Sequence, residues 1–151
     1  MARFLFRLEA SLRLAEQVLE TAQRKYAQEI QHWQACVKAY TLQEERLFEA
    51  QEGQRDAGRQ RPEELGNWQL FALDQQLQLR QCEAEQQEQE GIMELARHDL
   101  GEAHREVEKF RRLKEKQVKA FLWAELQKEQ KILDETGQIL HWRQQNRSRQ
   151  T

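Results

Sequence analysis

A chain of 151 residues, 38% hydrophobic and 33% charged, has room for one domain but too little apolar side chain for a wide core. Six glycines and one proline are too few for a protein of strands and turns. The formal net charge of -2 argues against a general nucleic-acid role.

Ala, Glu, Gln, Leu, Lys and Arg dominate, the composition of long helices and coiled coils. The pattern predicts an all-α fold: two long helices in an antiparallel coiled-coil hairpin, the second longer than the first, within a single domain spanning 1–151. The first helix is expected from about Phe4 to about Ala50. Its apolar seam reads Leu8, Leu12, Ala15, Leu19, Ala22, Tyr26, Ile30, Trp33, Val37, Tyr40 and Leu47, in alternating steps of four and three. Two consecutive steps of four around Tyr26 and Ile30 predict a stutter that relaxes the supercoil there. Glu9–Arg13 and Glu20–Arg24 are i,i+4 pairs in the favourable order.

The stretch QEGQRDAGRQRPEE, Gln51 to Glu64, gathers Gly53, Gly58 and Pro62 and reads as the corner. Pro62 suits the first turn of the next helix, with Glu63 and Glu64 complementing its positive end. The second helix is expected from about Glu63 to about Leu140. Its seam reads Leu65, Trp68, Ala72, Leu79 and Cys82, passes through Gln86 and Gln89, and resumes as Met93, Ala96, Leu100, Ala103, Val107 and Phe110. Gly91 and Gly101 each weaken the helix by roughly 1 kcal/mol relative to Ala, making the Gly91 region a soft point. Arg143 to Thr151 is expected to be a disordered tail.

At 1.5 Å per residue the arms measure roughly 70 Å and 115 Å. With Phe48 near Trp68 at the corner, Phe4 falls near Arg112, and everything after about Leu113 projects past the first helix. That overhang carries a stripe of Val118, Leu122, Leu126, Leu133 and Leu140, with Phe121 and Trp123 beside it. An unpartnered amphipathic helix is marginally stable and calls for a partner, either a second copy of the chain or a different protein. Charge is uneven: Glu83 to Glu102 holds seven acids against Arg97 alone, and Arg105 to Lys131 holds nine bases against five acids. A solvated helix face or a docking surface for an acidic partner would account for this.

The motifs of catalysis are missing. There is no phosphate loop, no G-x-S-x-G and no H-E-x-x-H. His32, His98, His104 and His141 are scattered, and a two-helix seam encloses no pocket that excludes water. The expectation is a non-enzyme with no catalytic residues, cofactor or metal. Cys36 and Cys82 make no disulfide framework, although a hairpin could bring them near each other. Arg7 interrupts the apolar run Phe4-Leu5-Phe6, so no secretory signal is expected, and no run approaches the ~20 apolar residues of a membrane helix. Phe48, Trp68 and Phe71 cluster near the corner. A thin seam cannot cover all three, so part of the cluster is expected to face outward as a binding patch.

Three segments resemble the FliJ family, the small coiled-coil component of the bacterial flagellar type III export apparatus. Phe4-Leu5-Phe6-Arg7-Leu8, followed by Leu12 and Glu16, is similar to that family's opening. Asn67-Trp68-Gln69-Leu70-Phe71 is similar to its segment after the corner, and Glu129-Gln130-Lys131-Ile132-Leu133-Asp134-Glu135 to its ending. The resemblance implies a stalk-like coiled coil whose termini end inserts into the ring of the flagellar export ATPase and stimulates it. It also implies contact with the cytoplasmic part of the export gate membrane protein and a role with export chaperones. The expected site is cytoplasmic, peripheral to the inner face of the cell membrane at the flagellar base. The ATPase contact is expected at Arg112, Lys116, Lys119, Phe121, Leu122 and Leu126, and the gate contact at Phe48, Trp68 and Phe71. Family gate positions also fall on Val37, Thr41, Glu44, Gln75, Gln78 and Cys82, where residue types differ from the enteric pattern. Two alternatives stand beside this: the stalk of a virulence injectisome, and a generic homodimeric coiled-coil scaffold.

Overall fold

The computed structural model describes residues 3–150. It contains α1 (Glu9–Gln60), a single 3-10 turn (Pro62–Glu64) and α2 (Leu65–Arg149), with no strand among the described residues. The fold is all-α, an antiparallel helical hairpin in which α2 has 85 residues against 52 in α1.

The helix limits differ from the sequence expectation in ways that have local causes. α1 starts at Glu9 rather than Phe4. Residues 3–6 are non-helical, and the helix is entered through Glu9 N–H donating to the Phe6 carbonyl at 3.2 Å and Leu12 N–H to that of Leu8 at 2.9 Å. α1 then runs through Gly53 and Gly58, so the corner is not the whole stretch 51–64. It narrows to Arg61, whose φ of -141° and ψ of 70° leave the helical region. Pro62 forces that departure, because its ring disfavours helical backbone in the residue before it. Arg61 N–H donates to the Ala57 carbonyl at 2.9 Å, and Glu64 N–H to that of Arg61 at 3.0 Å. No described residue has a positive φ, so the turn needs no glycine. At the other end, residues 143–149 continue α2 where a disordered tail was expected; Thr151 lies outside the described residues.

Gly53 has a different task. A Cβ built on it would stand 2.6 Å from Cε3 and Cη2 of Trp68, and closer still to Cζ3. The Trp68 indole therefore lies against the bare backbone of α1, and only glycine admits that approach.

The chain falls into two compact units, Met1–Ala15 with Glu106–Thr151, and Glu16–Arg105. In the second, α1 follows an unbroken seven-residue repeat. Residues 19, 26, 33, 40, 47 and 54 alternate with 22, 29, 36, 43, 50 and 57, and every one is buried or half-buried. The expected stutter at Tyr26–Ile30 is absent. Glu29 and Cys36 hold the register, while Ile30 and Val37 are half-buried on its shoulder. The apolar pattern departs from the repeat there because Glu29 and Cys36, rather than Ile30 and Val37, occupy the seam positions. Two seam levels are polar and internally satisfied. Gln43 Nε2 donates to Gln75 Oε1 at 2.8 Å and to the Gln75 carbonyl at 3.1 Å, and Gln89 Nε2 donates to Glu29 Oε2 at 2.6 Å.

In the other unit the core is Phe6, Leu12, Ala15 and Val107, the last only 1% exposed. Here the α2 seam takes two successive steps of four, Phe110 to Lys114 to Val118, so the stutter lies in this helix. No described helix is long and apolar enough to cross a membrane.

Candidate partner-binding surfaces

The first surface lies in the unit that joins the N-terminal segment to the end of α2. The expectation that Phe4 meets Arg112 is corrected: the Phe4 ring packs on Phe121, with centroids 5.5 Å apart and planes tilted by 52°. Non-helical backbone spans up to about 3.3 Å per residue against 1.5 Å in a helix, so residues 3–8 reach further along α2 than helical ones would. Lys114 Nζ is held by Glu9 at 2.9 Å and sits 6.0 Å from the Phe6 ring centroid. Val118 and Phe121 are thereby half-buried, and the bare part of α2 starts later than Leu113.

Beyond this point the apolar stripe is uncovered. Leu122, Leu126, Leu133 and Leu140 are all more than half exposed. At 100° per residue they fall within a sector of about 40° on one side of α2. Trp123, Ile132, Ile139 and Trp142 are also exposed, the first three to either side of the stripe and Trp142 on the opposite face of the helix. Two of the expected basic contacts are partnered along the helix: Arg112 with Glu108 at 3.0 Å and Lys119 with Glu115 at 3.3 Å. Exposed pairs of this kind hold their side chains loosely, at well under 1 kcal/mol each, so both cations remain available to an incoming acid. Lys116 is exposed.

The second surface lies in the Glu16–Arg105 unit. Trp68 and Phe71 meet edge to face, centroids 6.0 Å apart at 79°. They line a shallow depression of about 380 Å³ with Arg46, Glu49, Ala50 and Gln75. Trp68 is its half-buried floor, seated on Gly53, and Phe71 its exposed wall. Phe48 is 62% exposed but does not line the depression. Helical geometry explains the separation: Arg46 and Glu49 lie on one flank of the Leu47–Ala50 seam, and Phe48 on the other. The expected trio is thus a pair plus one aromatic facing elsewhere.

Sequence reading missed a second apolar row on α2, Leu70, Leu73 and Leu77, each more than half exposed. The signal was the i, i+3, i+7 spacing, outside the seam and therefore unread. On α1, Tyr40 donates to the Glu44 carboxylate, and this bond with the neighbouring negative charge raises the phenol above its usual range. His98 pairs with Glu102 at 3.4 Å and His32 with Glu29 at 3.6 Å. No group of acidic, histidine or cysteine side chains among the described residues could hold a metal ion.

The fold and these surfaces define a helical-hairpin coiled coil with apolar faces uncovered by its own chain. No protein-family model, curated protein or solved structure matches it.

Proposed function

We propose that this protein is a non-enzymatic, stalk-like component of the bacterial flagellar type III protein export apparatus. The unit carrying the termini inserts into the export ATPase ring and stimulates it. The Trp68–Phe71 depression meets the cytoplasmic part of the export gate, and the chain serves export chaperones as an escort. It acts in the cytoplasm, at the inner face of the cell membrane beneath the flagellum. The observation that carries the reading is the uncovered stripe of Leu122, Leu126, Leu133 and Leu140. A helical face of that length costs free energy in water and is retained where another protein shelters it. The excess of bases lies just before the stripe, between Arg105 and Lys119, and suits an acidic lining at that level. The resemblance of three ordered segments to the FliJ family supplies the identity of the partners.

The test is the double variant Leu122→Asp with Leu126→Asp. It is expected to abolish stimulation of the export ATPase while helicity by circular dichroism stays near that of the parent. Unchanged stimulation would remove the stalk role. Phe71→Ala is expected to weaken gate binding without unfolding; full affinity would remove that contact.

The same stripe favours a second reading, self-association into a homodimeric scaffold. Light scattering separates the two: a monomer at working concentration supports the stalk, and a stable dimer broken by Leu133→Asp supports the scaffold.

A further inference from the structure

Cys36 and Cys82 are both free and both half-buried. Their placement follows from two contacts on either side of them. Gln43 bonds to Gln75, and Glu29 accepts from Gln89. Cys36 lies seven residues from both Glu29 and Gln43 on α1, and Cys82 lies seven from both Gln75 and Gln89 on α2. In an antiparallel pair with a seven-residue repeat, the level midway between two facing levels is itself a facing level. The two thiols therefore share one rung of the seam, with a satisfied polar rung above and below. At the next level toward the turn, the Gln43 side chain also reaches the main-chain carbonyl of Gln75 at 3.1 Å.

We propose that Cys36 and Cys82 form a redox-reactive pair that closes into an intramolecular disulfide when a low-molecular-weight disulfide oxidises them. One cysteine thiolate attacks the small disulfide, forming a mixed disulfide and expelling one small thiolate. The second cysteine thiolate attacks the protein sulfur of that mixed disulfide and expels the other. Two electrons pass from the protein to the oxidant, and the two cysteine protons end on the two small thiols released. The product staples α1 to α2 midway along the Glu16–Arg105 unit. It cross-links residues far apart in sequence but adjacent in the fold, so it restricts the unfolded chain much more than the native one. Facing thiols of this kind within a cell are more often sensors than permanent staples.

The reduced full-length protein is treated with oxidised glutathione under native conditions and read by intact mass, thiol titration and non-reducing electrophoresis. The expected product is a monomer lacking two hydrogens, with both thiols lost together and no retained glutathione. Ring closure is expected to exceed cross-linking between chains by at least about tenfold at micromolar protein. Helicity should be unchanged, and the thermal midpoint should rise and revert on reduction. Cys36→Ser and Cys82→Ser should each retain a single glutathione adduct. Stable double glutathionylation of the parent chain, disulfide-linked dimers as the main product, or loss of helicity on ring closure would each overturn the pairing.

Discussion

Gly53→Ala isolates the contact that joins the turn to the candidate gate surface. At an ordinary interior helix position this change stabilises by about 1 kcal/mol, because Ala loses less backbone freedom than Gly. At Gly53 the new methyl would meet three atoms of the Trp68 ring, two of them at 2.6 Å. The indole must leave its seat or α2 must move, and overpacking of this kind costs about 1–3 kcal/mol. Clash outweighs propensity, so the variant should be destabilised by about 1 kcal/mol, a fall in midpoint of about 2–4 °C for a chain of this size. In a Trp68→Ala background the obstacle is gone, and Gly53→Ala should stabilise by about 1 kcal/mol. The cycle then shows a coupling of about 2 kcal/mol, well above the additivity error for independent sites. Urea unfolding of the four proteins, followed by circular dichroism, measures it. Additive effects, or a stabilised Gly53→Ala in the parent chain, would refute the placement of Trp68 on Gly53.

Gly91 has no neighbour within 4 Å of a built Cβ, so Gly91→Ala should stabilise by about 1 kcal/mol, read by the same unfolding experiment. Val107→Ala should cost about 2 kcal/mol, because its side chain is fully buried, whereas Leu126→Ala should change stability by no more than about 0.5 kcal/mol. Gln43→Ala should cost about 1–3 kcal/mol by removing the donor to Gln75; replacing both glutamines by Leu should restore stability in denaturant titrations. Tyr40 should titrate above an ordinary phenol in a tyrosinate absorbance experiment, and Glu44→Gln should return it to the ordinary range. The proton is held more tightly in the folded state, so any stability from this pair is present below the unfolded tyrosine pKa of about 10 and is lost as pH rises past it.

The sequence alone determined that the chain is two unequal helices packed along one apolar seam, because period, composition and the lone proline all act locally. Leu12, Leu19, Ala96 and Val107 were legible as seam residues for the same reason, as were the bare leucines after Leu122. Tertiary structure decided what depends on two segments meeting. A glycine that looked like a hinge proved to be a seat for an indole, since its reason lies fifteen residues away on the other helix. Glu29, Cys36 and Gln43 hold seam positions that hydrophobicity could not reveal, because their partners across the hairpin satisfy them or match them. Phe121 found cover in Phe4 only once the N-terminal residues left the helix and reached further along α2. The aromatic trio divided because helical rotation, rather than nearness in sequence, assigns a side chain to one flank of the seam or the other.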